Sequence, residues 1–327
     1  MKRTRMLLIF GFIVIGLLFG SHPATAKIKF IQITSGPVGG TYYILGGALA
    51  DLLKDAIEGV KVTVTTGGSL ANISKVQSGK ADIGFTMNRL VYEGRQGIGS
   101  YKDKGVQDNI MGMSYLCDIY MSLFLTSEKF PANSIQEIKD GKMKVRILTS
   151  PRASSPSLAA ERMLEAYGIT FKDIEDWGGK VNFVSYSEAS NLLKDGHADV
   201  WLGPMVPPIL EWTISEKVKF LPIKQSALEA LKEKYKYGIA TVPNGYWEFM
   251  KEPTPIMTES IMIIVRKGLP DDMVYAITKT ISENPDVVRK VHRLYEPYEP
   301  KRSGEITGGP IHPGAVRYYK EAGIPCQ

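Results

Sequence analysis

The stretch ITSGPVGGTYYILGGALADLL, Ile33–Leu53, decides the fold. An apolar run from Lys29 to Thr34 reads as a strand, a loop with three glycines follows, and a helix over Thr41–Ala56 is marked by Leu45, Leu49, Leu52, Leu53 and Ala56 at three- and four-residue steps. Strand, glycine turn and helix in that order make an α/β unit around a parallel sheet. Downstream, Lys61–Thr65 and Asp82–Thr86 read as strands and Leu70–Ser78 as a helix.

The order then returns. Lys144–Thr149, Lys180–Ser185 and Asp199–Leu202 read as strands, with helices over Pro156–Tyr167 and Ala189–Lys194 between them. ITSGP (Ile33–Pro37) answers to LTSPR (Leu148–Arg152), and SGKADIGF (Ser78–Phe85) to DGHADVWL (Asp195–Leu202). Two similar α/β lobes follow. Two apolar strand-like runs, Met111–Leu125 and Ser260–Val265, read as crossovers, making the first lobe discontinuous: residues 27–117 plus 258–327, with the second at 122–255. Two chain passages make a two-strand hinge over a cleft, and ligands of open α/β sheets sit at the carboxyl ends of the strands.

The N-terminus carries a separate signal. Residues 1–26 join a basic start to an uncharged stretch of 15 residues, Met6–Gly20, and end Ala24-Thr25-Ala26. A spanning helix needs about 20 residues, so this reads as a secretory signal peptide cleaved after Ala26, and the mature protein is expected in a periplasm. Three charges of the net +6 (Lys2, Arg3, Arg5) fall in that leader, and no basic run interleaves with aromatics, which argues against a nucleic-acid partner. Cys117 and Cys326 either form one bridge or remain a buried and a free thiol. His197, His292 and His312 have no partner at ligand spacing, so no metal is expected, and nothing calls for another cofactor.

The loops supply the candidate site. Gly40, Thr41 and Tyr42 open the first helix, where backbone N–H groups suit a carboxylate. Ser69 and Asn72 follow the second strand, and Asn88 and Arg89 the third. In the second lobe Arg152 and Ser154 project from the loop, and Ser155 before Pro156 reads as a helix cap. Arg152 is either a two-pronged carboxylate clamp or a solvated surface residue. Tyr42, Tyr186 and Trp201 are candidate walls. Gly67-Gly68-Ser69-Leu70-Ala71 falls one residue short of a nucleophile elbow, and a cap explains Ser69 without chemistry, so a serine hydrolase is the weaker reading.

GGTYYILGGALADLL (Gly39–Leu53), TTGGSLANISKVQSGKADIGF (Thr65–Phe85) and PIHPGAVRYYKEAGI (Pro310–Ile324) together resemble the TAXI family, the extracytoplasmic solute-binding subunits of TRAP transporters. The resemblance implies a two-lobe periplasmic-binding-protein fold, type II-like, with two mostly parallel sheets joined by a two-strand hinge. It also implies a monomeric, non-enzymatic receptor that closes over a small anionic organic solute, carboxylate or amino-acid-like, and hands it to TRAP membrane permease subunits. A receptor of the same fold serving an ABC importer or a signalling kinase is the alternative. Gly40, Thr41, Tyr42, Ser69 and Asn72 match the family's ligand loops. Met87-Asn88-Arg89 stands where the family shows Gln, a small polar residue and Asp, and Ala153-Ser154-Ser155-Pro156 replaces Gly-Ser-Gly-Thr. The lost acid, with Arg89 gained and Arg152 nearby, implies a more anionic solute than an amino acid.

Overall fold

The computed structural model describes residues 30–305 and 308–326. The expected signal peptide, including the cleavage point after Ala26, lies outside them. The first layer runs β1 (Phe30–Thr34), α1 (Thr41–Ala56), β2 (Lys61–Thr65), α2 (Ser69–Gln77), β3 (Ile83–Met87), α3 (Asn88–Gln96) and β4 (Ile110–Tyr120). The second runs β5 (Leu123–Ser127), α4 (Ile135–Asp140), β6 (Arg146–Thr149), α5 (Ser155–Glu165), α6 (Phe171–Asp176), β7 (Lys180–Phe183), α7 (Tyr186–Lys194), β8 (Val200–Gly203), α8 (Pro207–Ser215), β9 (Val218–Phe220) and α9 (Gln225–Tyr235). The chain returns through β10 (Gly238–Val242) and β11 (Thr254–Arg266), then closes with α10 (Asp271–Glu283), α11 (Pro285–Arg289) and α12 (Pro313–Glu321).

Both expected sheets are present, and both are mixed rather than mostly parallel. β2, β1 and β3 are parallel neighbours, but β11 pairs antiparallel with β3, β4 and β10. In the second sheet β7, β6 and β8 are parallel, and β5 is antiparallel to β8 and β9. The repeated strand–helix units give the parallel trios, because a helix between two strands returns the chain in the same direction. The crossover strands add the antiparallel pairs.

The apolar run Met111–Leu125 is not one strand. It breaks at Ser122, which is buried with φ +54°, and β4 and β5 on either side belong to different sheets. A residue with a Cβ in this left-handed region costs about 1–2 kcal/mol, so the turn between sheets is held by the packing around it. The run Ser260–Val265 lies wholly within β11 and crosses nothing. The chain re-enters the first sheet earlier, at Gly238–Val242, which pairs with Thr254–Thr258 although the sequence reading gave these residues to the second lobe.

The buried apolar residues form one continuous cluster that spans both sheets. Ile33, Phe85 and Ile263 are fully buried in the first, with Leu45, Leu49 and Leu53 packing α1 against it as the helical spacing requires. Trp201 is fully buried in the second, its indole N–H donating to the Pro204 carbonyl at 3.0 Å. Cys117 and Cys326 are both free thiols. Among the described residues no helix is long and apolar enough to cross a membrane.

Candidate functional site

Three helix N-termini meet between the sheets. α1 starts at Thr41 with Gly40 as its cap, α2 at Ser69, and α5 at Ser155 behind the Ser154 cap, whose hydroxyl accepts from the Ser157 N–H. Each is the carboxyl-end loop of a parallel strand, so the alternation of the sequence places them there. Gly40 has a steric reason: a Cβ on it would stand 2.7 Å from the Tyr186 ring of the other sheet.

The two sides touch directly. Ser69 Oγ and Ser155 Oγ are 3.1 Å apart, and the Leu70 and Ala71 N–H groups both donate to the Ala153 carbonyl, at 3.1 and 3.2 Å. Ala153 reaches that position in a left-handed conformation, φ +63°. The conformation of the loop therefore places a second-sheet carbonyl on the first turn of a first-sheet helix, satisfying two N–H groups that the helix itself cannot.

These contacts close over a cavity of about 30 Å³. Gly40, Thr41, Tyr42 and Ser69 line it from one side and Ser154, Pro156, Tyr186 and Pro204 from the other, with Met87, Ile119 and Val206 as apolar wall. No Lys, Arg, His, Asp or Glu is among those lining residues. One water needs roughly 10–15 Å³ of such space, so the closed cavity holds two or three. Burial raises the Tyr42 hydroxyl well above its ordinary pKa and pushes Tyr186 up to about 12 against the opposing Ser150 hydroxyl, so both are neutral donors near neutral pH. Favourable potential for an anion comes from the helix N-termini.

The expected residues divide. Gly40, Thr41, Tyr42, Ser69, Ser154 and Ser155 come together at this cavity, Ser155 through its hydroxyl contact with Ser69. Asn72 is fully buried behind it: its carboxamide oxygen accepts from the Thr34 hydroxyl and the Gly68 N–H, and its nitrogen donates to the Ser35 and Phe85 carbonyls at 2.7 Å each. With those bonds made, Asn72 positions the loops and offers nothing to a solute. Arg152 is exposed outside the cavity, its guanidinium 3.7 Å from the centroid of the Phe183 ring. Asn88 and Arg89 line a separate open groove of about 580 Å³ between α3 and α5, where Arg89 is committed to Glu93 and Glu259. Trp201 stands behind Tyr186, their rings edge to face at 6.0 Å. Among the described residues Ser69 has no imidazole at hydrogen-bond distance, His197 is exposed, and His312 Nδ1 accepts from the Gly314 N–H as the cap of α12.

Sequence reasoning placed Ala153 in a ligand segment, where the resembled family shows Gly, without counting it as a site residue, and it passed over Ile119, which sits in the apolar run that reads as a crossover.

A chain of two mixed α/β sheets, linked by two passages and enclosing a cavity at the strand ends, has the architecture of a periplasmic solute-binding protein. It belongs to the NMT1-like family, which matches residues 33–323. Among solved structures it is similar to MatC from Rhodopseudomonas palustris with bound malate, at 12% identity and a TM-score of 0.57, over 91% of this chain and 97% of that one. A second R. palustris protein, with adipate, matches at 12% identity and a TM-score of 0.56, over 90% and 93%. The alkanesulfonate-binding protein SsuA from Xanthomonas axonopodis pv. citri, bound to MOPS, gives 12% identity and a TM-score of 0.49, over 92% and 81%.

Proposed function

We propose that this protein is the extracytoplasmic receptor of a solute importer of the TRAP type, exported to the periplasm after cleavage at Ala26, and that it closes over a small organic carboxylate. The convergence of the α1, α2 and α5 N-termini on one cavity, with each sheet supplying part of its wall, carries this reading. An anion there is held by backbone N–H groups of the helix starts other than those of Leu70 and Ala71, which the Ala153 carbonyl occupies, and by the Thr41 and Ser69 hydroxyls, not by an arginine clamp. Malate and adipate in the two similar structures agree with carboxylate chemistry. A solute larger than two or three waters enters only when the sheets part, so the two sheets act as lobes about the passages at Ser122 and Tyr237, and binding draws the population toward closure.

The test is mass spectrometry of small molecules that co-purify, followed by thermal-shift titration with mono- and dicarboxylates. A ligand at 100 times its dissociation constant adds about 2.7 kcal/mol to stability. A carboxylate that raises the melting temperature and compacts the protein in small-angle scattering supports the reading; stabilisation only by neutral or cationic solutes overturns the carboxylate assignment. Uptake into proteoliposomes holding a TRAP permease, with an ion gradient and without ATP, tests the transporter class. The hydrolase reading predicts ester or amide cleavage lost in Ser69→Ala.

A further inference from the structure

Four little-exposed charges join the sheets, and three of them, Arg89, Glu93 and Arg162, line the open groove rather than the cavity. Arg89 and Glu93 stand on α3 and Glu259 on β11, all in the first layer, whereas Arg162 stands on α5 of the second. Arg89 Nε donates to Glu259 Oε1 at 2.9 Å, its Nη2 lies 2.7 Å from the same oxygen, and its Nη1 pairs with Glu93. Arg162 Nη2 reaches Glu93 at 3.5 Å, and its Nη1 donates to the Tyr237 hydroxyl at 3.3 Å. All four residues are under a tenth exposed. Two cations balance two anions, but only one of the four comes from the second layer. One oxygen, Glu259 Oε2, is buried without a hydrogen bond.

We infer that this tetrad is a proton-operated lock on the cleft: parting the lobes withdraws Arg162, and Glu259 takes up a proton in its place. The inference rests on the receptor reading only in requiring that the two lobes part. Without Arg162 the first lobe holds two carboxylates against one guanidinium, and an uncompensated buried charge neutralises rather than persists. The charged and titratable groups facing Glu259 are Arg89 and Glu93 from α3, Arg162 from α5, Tyr237 ahead of β10 and Tyr42 from α1; opposite it on β4 is the apolar Ile119. Burial already pushes the Glu259 carboxyl above the usual carboxylate range, against the opposing Arg89 and Arg162. Loss of one of those cations moves it further up. Glu93 loses its Arg162 contact on opening but keeps Arg89 on one oxygen and the Ser100 N–H on the other, at 3.1 Å, whereas Glu259 Oε2 has no hydrogen bond, so the proton goes to Glu259.

The sign follows. The open form binds one proton more than the closed form, so falling pH favours opening, and a one-proton linkage changes the open-to-closed ratio by at most tenfold per pH unit. Small-angle scattering of the solute-free protein between pH 8 and pH 5 reads this directly: the radius of gyration is expected to grow as pH falls. Glu259→Gln should show one radius at every pH, and Arg162→Met an open radius without the pH step. Circular dichroism at each pH establishes that the variants are folded; where Glu259→Gln does not fold, the wild type and Arg162→Met decide. A constant radius in the wild type, or an undiminished step in Arg162→Met, overturns the lock. Because no solute is used, failure here leaves the receptor reading standing, whereas a pH step without compaction by any solute leaves the lock standing and removes the receptor reading.

Discussion

The hydroxyls of Ser69 and Ser155 meet 3.1 Å apart, each on the first residue of a helix that belongs to a different sheet. Both are buried, and only Ser69 lines the cavity, so while the cleft is shut Ser155 has Ser69 as its hydroxyl partner. The pair therefore distinguishes the closed form from the open one, in which each hydroxyl is free to hydrate.

Ser155→Ala removes this hydroxyl contact between the sheets, while Ser69 keeps the cavity and its solute as partners. Loss of one hydrogen bond is worth about 0.5–1.5 kcal/mol, so solute affinity should fall by roughly 2- to 13-fold with the melting temperature of the solute-free protein nearly unchanged if that protein rests open. Isothermal titration calorimetry with whichever carboxylate the thermal screen selects checks this.

Ala153→Gly should act in the opposite direction. Glycine takes φ +63° without the penalty of about 1–2 kcal/mol that alanine meets, so the carbonyl bridge to Leu70 and Ala71 forms at lower cost. The expected result is a more compact solute-free protein in small-angle scattering and a higher melting temperature. A lower one would mean that the flexibility glycine adds to the unfolded chain outweighs the relieved strain.

Asn72→Ala removes bonds to Thr34, Gly68, Ser35 and Phe85 at once. Several buried backbone groups then lack partners, and the loss should be at least about 3 kcal/mol of folding stability. Urea unfolding shows it as a lower midpoint, and any change in solute binding follows from displaced loops.

Arg152→Ala is expected to leave solute affinity within about twofold, because the residue lies outside the cavity and its contact with the Phe183 ring is worth only about 0.5–1 kcal/mol at an exposed site. Arg89→Met should instead fail at folding: it strands Glu259 without its guanidinium and leaves Glu93 only Arg162 at 3.5 Å, a cost of about 3–5 kcal/mol for breaking a buried pair. Calorimetry on the first and chemical unfolding of the second separate a surface arginine from a structural one.

His312 gives a pH dependence of stability. Burial lowers its pKa below the ordinary value while its Nδ1 caps α12. The unfolded chain binds the proton first, so stability is full above the unfolded pKa of about 6.5 and falls as pH drops through and below it. His312→Asn, which retains a capping acceptor, should flatten that slope in melting temperatures taken from pH 7.5 to 5.

The alternation of strands and helices was legible because each unit carries its own periodicity: Leu45, Leu49 and Leu53 mark the buried face of α1 without any tertiary information. The loops at Gly40, Thr41, Ser69 and Ser154 followed, since a parallel strand must end in such a loop. The two arginines did not follow. Whether Arg89 faces a solute or a carboxylate depends on Glu259, which stands 170 residues away, and no local pattern encodes that pairing. The turn at Ser122 was hidden for a related reason. Apolar residues continue unbroken on both sides of it, so hydropathy shows one strand where the backbone makes two.

The position of β11 has a consequence for how the protein comes into being. It lies between β3 and β4, hydrogen-bonded to both, yet it is made only after the whole second sheet. Until residues 254–266 arrive, β3 and β4 have a gap where their shared neighbour belongs, and the first sheet lacks its spine. A chain emerging from its N-terminus can complete the later sheet before the earlier one, and the earlier half stays unassembled while the rest is still being threaded. Late completion of the central strand thus delays native assembly until most of the polypeptide is available.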